Sequence, residues 1–228
     1  MMKEMKRDNE TVGRVGAMSK SLLRDTIEKY ISGDWGSENY TPSTPYQVKC
    51  IRGADIDTVN RNDGRKVPIR YISQSSFETK LLNNGDIVLE KSGGSPTQST
   101  GRVAYISNDI KENLGNIVCS NFCTAFRVKS EWHSKYIFYY LQYIYNLGAF
   151  FNFEGKTTGI KNLLLEQAFS NIPIEKILLG TQKQIAHTLT LLDDKIRINC
   201  QINDNSSNFF TSHTELCVFN FSSLNNCK

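Results

Sequence analysis

The stretch "NIPIEKILLGTQKQIAHTLTLLDDKI", residues 171–196, joins a short β-like segment to a long helical pattern. The helical part carries an apolar seam whose members alternate spacings of four and three, which is typical of a coiled coil. The seam consists of Ile185, Leu189, Leu192 and Ile196, continued by Asn199 with Ile202 beside it. A seam this narrow on a helix this long is not covered by one small domain, so we expect it to pack on a second helix.

Before this junction, from Tyr46 to Val128, the chain consists of short runs rich in β-branched and aromatic residues, separated by turn residues. The runs are "YQVKCI", "VPIRYI", "DIVLE", "RVAYI", "NIVCS" and "CTAFRV". Their short spacing predicts a mainly antiparallel, curled sheet. The fold class is therefore α+β: a β-rich domain with packed helices, followed by a long C-terminal coiled-coil-type helix.

Two further helices are predicted from periodicity. Residues 130–148 carry apolar side chains every three or four positions and end at Gly148, which favours a helix packed on the sheet. Residues 21–32 show Leu23, Ile27 and Ile31 at helical spacing, with Gly33 as a stop. The expected organisation is a flexible arm over 1–19, a β-rich domain over 20–178, a helical spacer over 179–221 and a tail over 222–228.

Size and composition fit an ordinary globular protein. The chain has 228 residues, 39% of them hydrophobic, and a net charge of +4, which permits a polyanionic partner without requiring one. No apolar run approaches the roughly 20 residues that span a bilayer, and the polar N-terminus does not look like a secretory signal. We therefore expect a cytoplasmic protein with reduced cysteines. Cys119, Cys123 and His133 lack the second ligand pair of a zinc site, so no metal is expected.

The loop "EKSGGSPTQSTGR", residues 90–102, follows a predicted strand and combines two glycines with basic and hydroxyl side chains. Glycines let a phosphate approach the backbone, while lysine, arginine and hydroxyl groups bind its oxygens, so the loop is a candidate phosphate surface. A second loop, "GKTTGIK" at 155–161, and the turn "NRNDGRK" at 60–66 have similar chemistry. The simpler interpretation of each is a solvated turn.

Arginine and lysine can read guanine, and asparagine and glutamine can read adenine, so these loops could also select bases. The DNA-binding candidates of the first loop are Lys91, Ser92, Gly93, Gly94, Ser95, Thr97, Gln98 and Arg102. Those of the turn are Arg61, Asn62, Arg65 and Lys66, and those of the second loop are Lys156, Thr157, Thr158 and Lys161.

The order "GDIVLEKSGGS…GRVAYI", "NFCTAFRVKSEWHSKYIFYYL", "GIKNLLLEQAFSNIPI" and "TQKQIAHTLTLLDDKIRIN" resembles the specificity subunit of type I restriction-modification systems over about residues 21–221. The resemblance implies a target-recognition domain that binds double-stranded DNA, joined to a helical spacer. It also implies methyltransferase (modification) subunits as partners and, through them, a restriction subunit. Typical members carry two such units, so this chain is similar to a half-length form that self-associates or pairs with another half.

The chain carries no pattern of an enzyme that acts alone. It has no Pro-Pro pair for a methyltransferase motif and no complete phosphate-binding loop. We expect a non-catalytic subunit without a cofactor, although a Cys123–His133 nucleophile pair stays open. Three hypotheses follow: a sequence-reading DNA-binding subunit, a truncated subunit acting only as a helical interaction module, and an unrelated β-domain that binds other ligands.

Overall fold

The computed structural model describes the backbone of residues 19–93, 98–157 and 160–224, with side chains described for 20–93, 98–155 and 160–203. In chain order the strands are β1 (Ser19–Leu22), β2 (Ile27–Ser32), β3 (Tyr46–Ile51), β4 (Ile69–Ile72), β5 (Ile87–Glu90), β6 (Ser92–Gly93), β7 (Val103–Tyr105), β8 (Ile117–Cys119), β9 (Cys123–Val128), β10 (Glu154–Thr157), β11 (Ile160–Leu163) and β12 (Pro173–Lys176). The α-helices are α1 (Ile56–Asn60), α2 (Gln74–Lys80), α3 (Asn108–Leu114), α4 (Ser134–Asn146), α5 (Leu165–Asn171) and α6 (Leu179–Leu224).

The strands form four small sheets rather than one curled sheet. A central sheet has the order β2-β9-β5-β7, and smaller ones have the orders β4-β3-β8, β10-β11-β6 and β1-β12. In the described chain every pair of strands is antiparallel except β3 with β8. All six β-like runs between Tyr46 and Val128 contain a strand, so the strand predictions are confirmed.

The central sheet is covered on both faces. Ile87 and Leu89 of β5 pack with helices α4 and α5, whereas Val88, between them, packs with α1 and α3 on the opposite side. Alternate residues of a strand point to opposite faces. Burial on both faces explains why β5 is a continuous apolar run instead of an alternating one.

Helix α4 confirms the helix predicted for residues 130–148. Ile137, Leu141 and Ile144 are buried in the main core. The face of α4 that carries them therefore packs on the central sheet. Gly148 adopts a φ of +74° just beyond the helix. Its N–H donates to Tyr145 O, and the next N–H donates to Ile144 O, which is the glycine-dependent hydrogen-bond pattern that closes a helix C-terminus.

The prediction of a helix over residues 21–32 is wrong. Residues Leu23–Thr26 form one short 3-10 turn, and Ile27–Ser32 form β2 at the edge of the central sheet. Ile27 and Ile31 are the two buried residues of β2. A spacing of four fits one face of a helix and also one face of a strand, so the pattern could not distinguish the two.

Helix α6 leaves the domain at Leu179 and continues for 46 residues. Its first turns pack on α4 through Gln182 and Ala186, both buried. Further along, the Tyr139 hydroxyl of α4 donates a 2.7 Å hydrogen bond to the Asp193 carboxylate of α6. No helix in the described part of the chain is both long and apolar enough to cross a membrane.

Candidate nucleic-acid interface

The two glycine-bearing loops meet in one sheet. Strand β6, from the first loop, pairs antiparallel with β11, from the second, with Gly93 opposite Lys161 and Ser92 opposite Asn162. Strand β11 pairs in turn with β10, so both loops belong to the three-stranded sheet β10-β11-β6. The sequence predicted phosphate contacts for each loop, and the structure brings described parts of both loops into one sheet. The phosphate contacts themselves stay predictions.

Backbone hydrogen bonds fix the start of the first loop. The N–H groups of Lys91 and Ser92 both donate to Phe122 O at 3.0 Å, and Leu163 N–H donates to Lys91 O. Gly93 has a φ of +138°, a conformation that glycine tolerates and other residues rarely adopt. A glycine therefore suits this position, where β6 pairs with Lys161 of β11.

Arg102 lies inside the domain's own ion-pair network. Its guanidinium donates two hydrogen bonds of 2.9 Å to Glu90 and another to Gly53 O, and it forms a 3.4 Å ion pair with Asp57. These hydrogen bonds to Glu90 raise the pKa of Arg102 above its ordinary value. The side chain is only 15% exposed. The structure thus gives Arg102 an internal partner that the sequence did not predict.

Lys161 is held in a similar way by Glu154, whose side chain is 3% exposed. One carboxylate oxygen of Glu154 accepts hydrogen bonds from Thr100 N–H at 2.7 Å and from the Thr100 hydroxyl, and the other lies 3.5 Å from Lys161 Nζ. Lys161 Nζ also donates to Gln98 O. Glu154 therefore connects the end of the first loop to the second loop.

Lys91 differs from these two cations. It is partly exposed, and its ammonium group forms no hydrogen bond or ion pair with another described residue. Ser92 is also partly exposed, and Gln98 is exposed. Gly94, Ser95, Thr97 and Thr158 lie outside the described residues, as do the side chains of Lys156 and Thr157. The DNA contacts of all these residues stay predictions.

The third predicted segment, the turn at 60–66, lies beside α6. Asn62 has a φ of +60°, as the turn chemistry predicted. Hydrogen bonds from Arg65 lower the pKa of Asp63 to about 2, while Arg61 and Lys66 are exposed. The turn lines a groove of about 1080 Å³ whose other wall includes Asp193 and Arg197 of α6. The turn does not join the sheet of the two loops.

A cleft of about 520 Å³ opens beside the joined loops, and no pattern in the sequence indicated it. Its lining includes Trp35, Gly53, Gly93, Asn121, Phe122 and Ile160. Asn121 and Phe122 come from the turn between β8 and β9, and Phe122 is 55% exposed. The letters "SNFC" between two apolar strands indicate a turn, but they do not show whether the phenylalanine is buried.

The cysteines of β8 and β9 are structural. Burial raises the pKa of Cys123 to about 12 and raises that of Cys119 as well. A thiol with so high a pKa carries almost no thiolate at neutral pH and is a poor nucleophile. The Cys123–His133 pair that the sequence left open is therefore unsuited to nucleophilic catalysis.

The residues of the predicted helix-packing seam differ in their exposure. Leu189 packs against the main core of its own domain. Ile185, Asn199 and Ile202 are exposed, and Leu192 and Ile196 are 54% and 61% exposed. Most of the seam therefore remains uncovered by the described part of the chain.

Comparison with known proteins identifies the family. The family model for the type I restriction modification DNA specificity domain matches residues 41–205, which is more than half of the chain. The chain belongs to this family. The matched segment includes both loops, the residues that line the cleft except Trp35, and the first half of α6. None of the curated proteins compared matches the chain.

Solved structures show the same fold for this specificity domain. A chain described under complex assembly and conformational transition of the type I R-M system is 14% identical, with a TM-score of 0.53 over 83% of this chain and 41% of that one. The S subunit from M. genitalium is 17% identical, with a TM-score of 0.51 over 81% of this chain and 41% of that one. This specificity domain spans about two fifths of the length of the chains it matches.

Proposed function

We propose that this chain is a non-catalytic specificity subunit of a type I restriction-modification system. Its domain reads one half of a bipartite DNA target, and α6 pairs with a second helix and helps to recruit modification and restriction subunits. The observation that supports the proposal is the pairing of β6 with β11, which joins the two candidate phosphate-binding loops in one sheet. Such a subunit needs no cofactor and acts on DNA in the cytoplasm.

Contacts to the phosphate backbone of DNA explain how these loops could hold a duplex. Phosphate contacts position a protein on the duplex, and contacts to base edges supply the sequence choice. Lys91 immediately precedes β6 and has no counter-ion among the described residues, so a phosphate could pair with its charge. The internal pairs of Arg102 and Lys161 hold described residues next to the loops in place, and such preorganisation reduces the entropy lost on binding.

The exposed part of the α6 seam supports the assembly role. The family match concerns the DNA specificity domain alone. Its pairing with a second helix and with modification and restriction subunits is therefore proposed. A truncated subunit that acts only as a helical interaction module is the second candidate. It is favoured by one observation: two of the predicted loop cations, Arg102 and Lys161, already bind carboxylates of the same domain.

The test is the salt dependence of DNA binding for the wild type and for Lys91→Ala. Each phosphate contact releases counter-ions, so losing one contact should weaken binding to all sequences and lower the salt slope by about one unit. Lys29→Ala, an exposed lysine of β2 in another sheet, is the matched control and should behave as the wild type.

The two candidate functions give different results. A wild-type protein with no salt-dependent affinity for random or selected duplexes would exclude the DNA-reading function and leave the interaction module. A Lys91→Ala protein with an unchanged slope would remove the first loop from the interface.

A further inference from the structure

The turn between β8 and β9 presents two adjacent side chains at one corner. Cys123 N–H donates to Ser120 O at 2.9 Å, which closes a four-residue turn with Asn121 and Phe122 at its two central positions. Both residues are exposed, whereas Cys119 and Cys123 on either side are buried. The corner is therefore the part of the connection between β8 and β9 that a ligand can reach.

This corner is also fixed in place. Phe122 O accepts the two backbone hydrogen bonds from Lys91 and Ser92, so the turn is joined to strand β6 of the loop sheet. The strands on both sides of the turn are anchored in the core. A contact from Asn121 or Phe122 would thus need little reordering of the backbone.

The cleft beside Phe122 is open and mostly apolar, although Arg52, Glu90, Ser92 and Ser120 also line it. Ile160 of β11, itself exposed, and Trp35 line the same cleft, and the glycines at positions 53 and 93 contribute no side chains. A Cβ atom at Gly53 would lie 2.3 Å from a carboxylate oxygen of Glu90, so a side chain there would collide with the Glu90–Arg102 pair. The glycine keeps this side of the cleft free.

We propose that Asn121 and Phe122 read one A·T base pair in the major groove. An asparagine amide can form two hydrogen bonds with adenine N6 and N7, and an aromatic ring can contact the thymine methyl group. In the major groove these features belong to the two bases of one pair, which suits two side chains on adjacent positions of a turn. The apolar cleft provides the surface for the methyl group.

This inference rests on the proposed DNA-reading function, because the corner adjoins the phosphate-binding loops through β6. It adds to that function the identity of a base pair and the two residues that select it. The loops would bind the phosphate backbone of the duplex, and the side chains of Asn121 and Phe122 would contact the base edges beside it.

The experiment starts from random duplexes selected by the chain together with a modification subunit. Within the selected sequence, adenine is replaced by 7-deazaadenine, which lacks the N7 acceptor, and thymine by uracil, which lacks the methyl group. At one A·T position each replacement should weaken wild-type binding, by about five-fold or more for the amide contact. Asn121→Ala should lose the response to 7-deazaadenine only, and Phe122→Ala the response to uracil only.

Asn84→Ala and Phe151→Ala, which replace exposed residues of the same types outside the cleft, are the controls and should respond as the wild type. Thermal unfolding of each variant verifies that the fold is intact. If a sequence is selected but both corner variants respond to the two analogues as the wild type does, the inference is wrong and the DNA-reading function stands.

The inference is also wrong if the corner variants lose the modification subunit while their base responses are unchanged, because the corner would then be a protein-docking surface. If no sequence is selected at all, the proposed function fails and the inference fails with it.

Discussion

Two buried carboxylates, Glu90 and Glu154, each bind a cation of the basic loops. A basic residue in a loop of this kind can therefore stabilise the domain through an internal ion pair instead of contacting a DNA phosphate. Removing one member of a buried pair leaves the other charged and unpaired, which costs more than the net value of the pair. Arg102, Lys161 and Lys91 should thus respond differently to substitution, although the sequence placed all three in one class.

We expect Arg102→Ala to destabilise the fold by about 3–5 kcal/mol, because Glu90 would be left buried without its partner. The measurement is the free energy of unfolding by denaturant. Arg61→Ala, an exposed arginine of the turn at 60–66, should change it by less than about 0.5 kcal/mol. An Arg102→Ala protein of wild-type stability with weaker DNA binding would instead make Arg102 a phosphate contact.

We expect Glu154→Gln to weaken DNA binding, although it removes a negative charge close to the proposed phosphate surface. The amide cannot neutralise Lys161, and hydrogen bonds to a charged group contribute about 1.5–3 kcal/mol, so this link between the two loops would be weakened while the strand pairing stays. The measurement is the dissociation constant beside that of Glu131→Gln, an exposed glutamate. Tighter binding by Glu154→Gln would show that its charge matters more than its position.

At the scale of elements, α6 has one face packed on its own domain and another that is exposed. Gln182 and Ala186 pack on the domain, and Tyr139 OH binds Asp193. Burial raises the pKa of Tyr139, so its hydroxyl stays protonated and able to donate at neutral pH. Leu192 and Ile196 are exposed, and an uncovered apolar stripe of this spacing favours association with another helix.

We expect Leu192→Asp with Ile196→Asp to prevent self-association of the chain, because two charges would have to be buried in the helix pair. The measurement is molecular mass by light scattering over a range of concentrations. Lys195→Asp, between the two sites and exposed, tests for an effect of aspartate on the helix itself and should leave the mass unchanged. A wild type that is monomeric alone and with the modification subunit would refute helix pairing.

For the whole molecule, a pair of identical chains would carry two identical recognition domains. A closed dimer of identical subunits has a two-fold axis, so both subunits use the same surface. If each domain reads a half-site, such a dimer would read an inverted repeat, and the length of α6, 46 residues or about 69 Å, would limit the separation of the two halves.

We expect nuclease protection of two half-sites in inverted orientation. Inserting one base pair between them turns one half-site by about 35° relative to the other, and binding should fall strongly. Two base changes within the gap that leave its length constant are the control. Protection of a single half-site, unaffected by the insertion, would show that the chain reads DNA as one domain.

The sequence by itself determined the features that depend on neighbouring residues. The six β-runs, helix α4 with its closing Gly148 and the positive φ of Asn62 follow from local periodicity and turn chemistry. The seam of α6 is visible for the same reason. The order of these elements along the chain was also enough to indicate the family.

Only the tertiary structure decided which distant residues meet. Gly93 pairs with Lys161, Thr100 binds Glu154, and Phe122 O holds the start of β6. Ile27–Ser32 is a strand because it pairs with β9. The residues of this segment alone do not reveal that distant partner. A local pattern fixes a backbone preference, but the partner of a charge or of a strand edge depends on how the whole chain is packed.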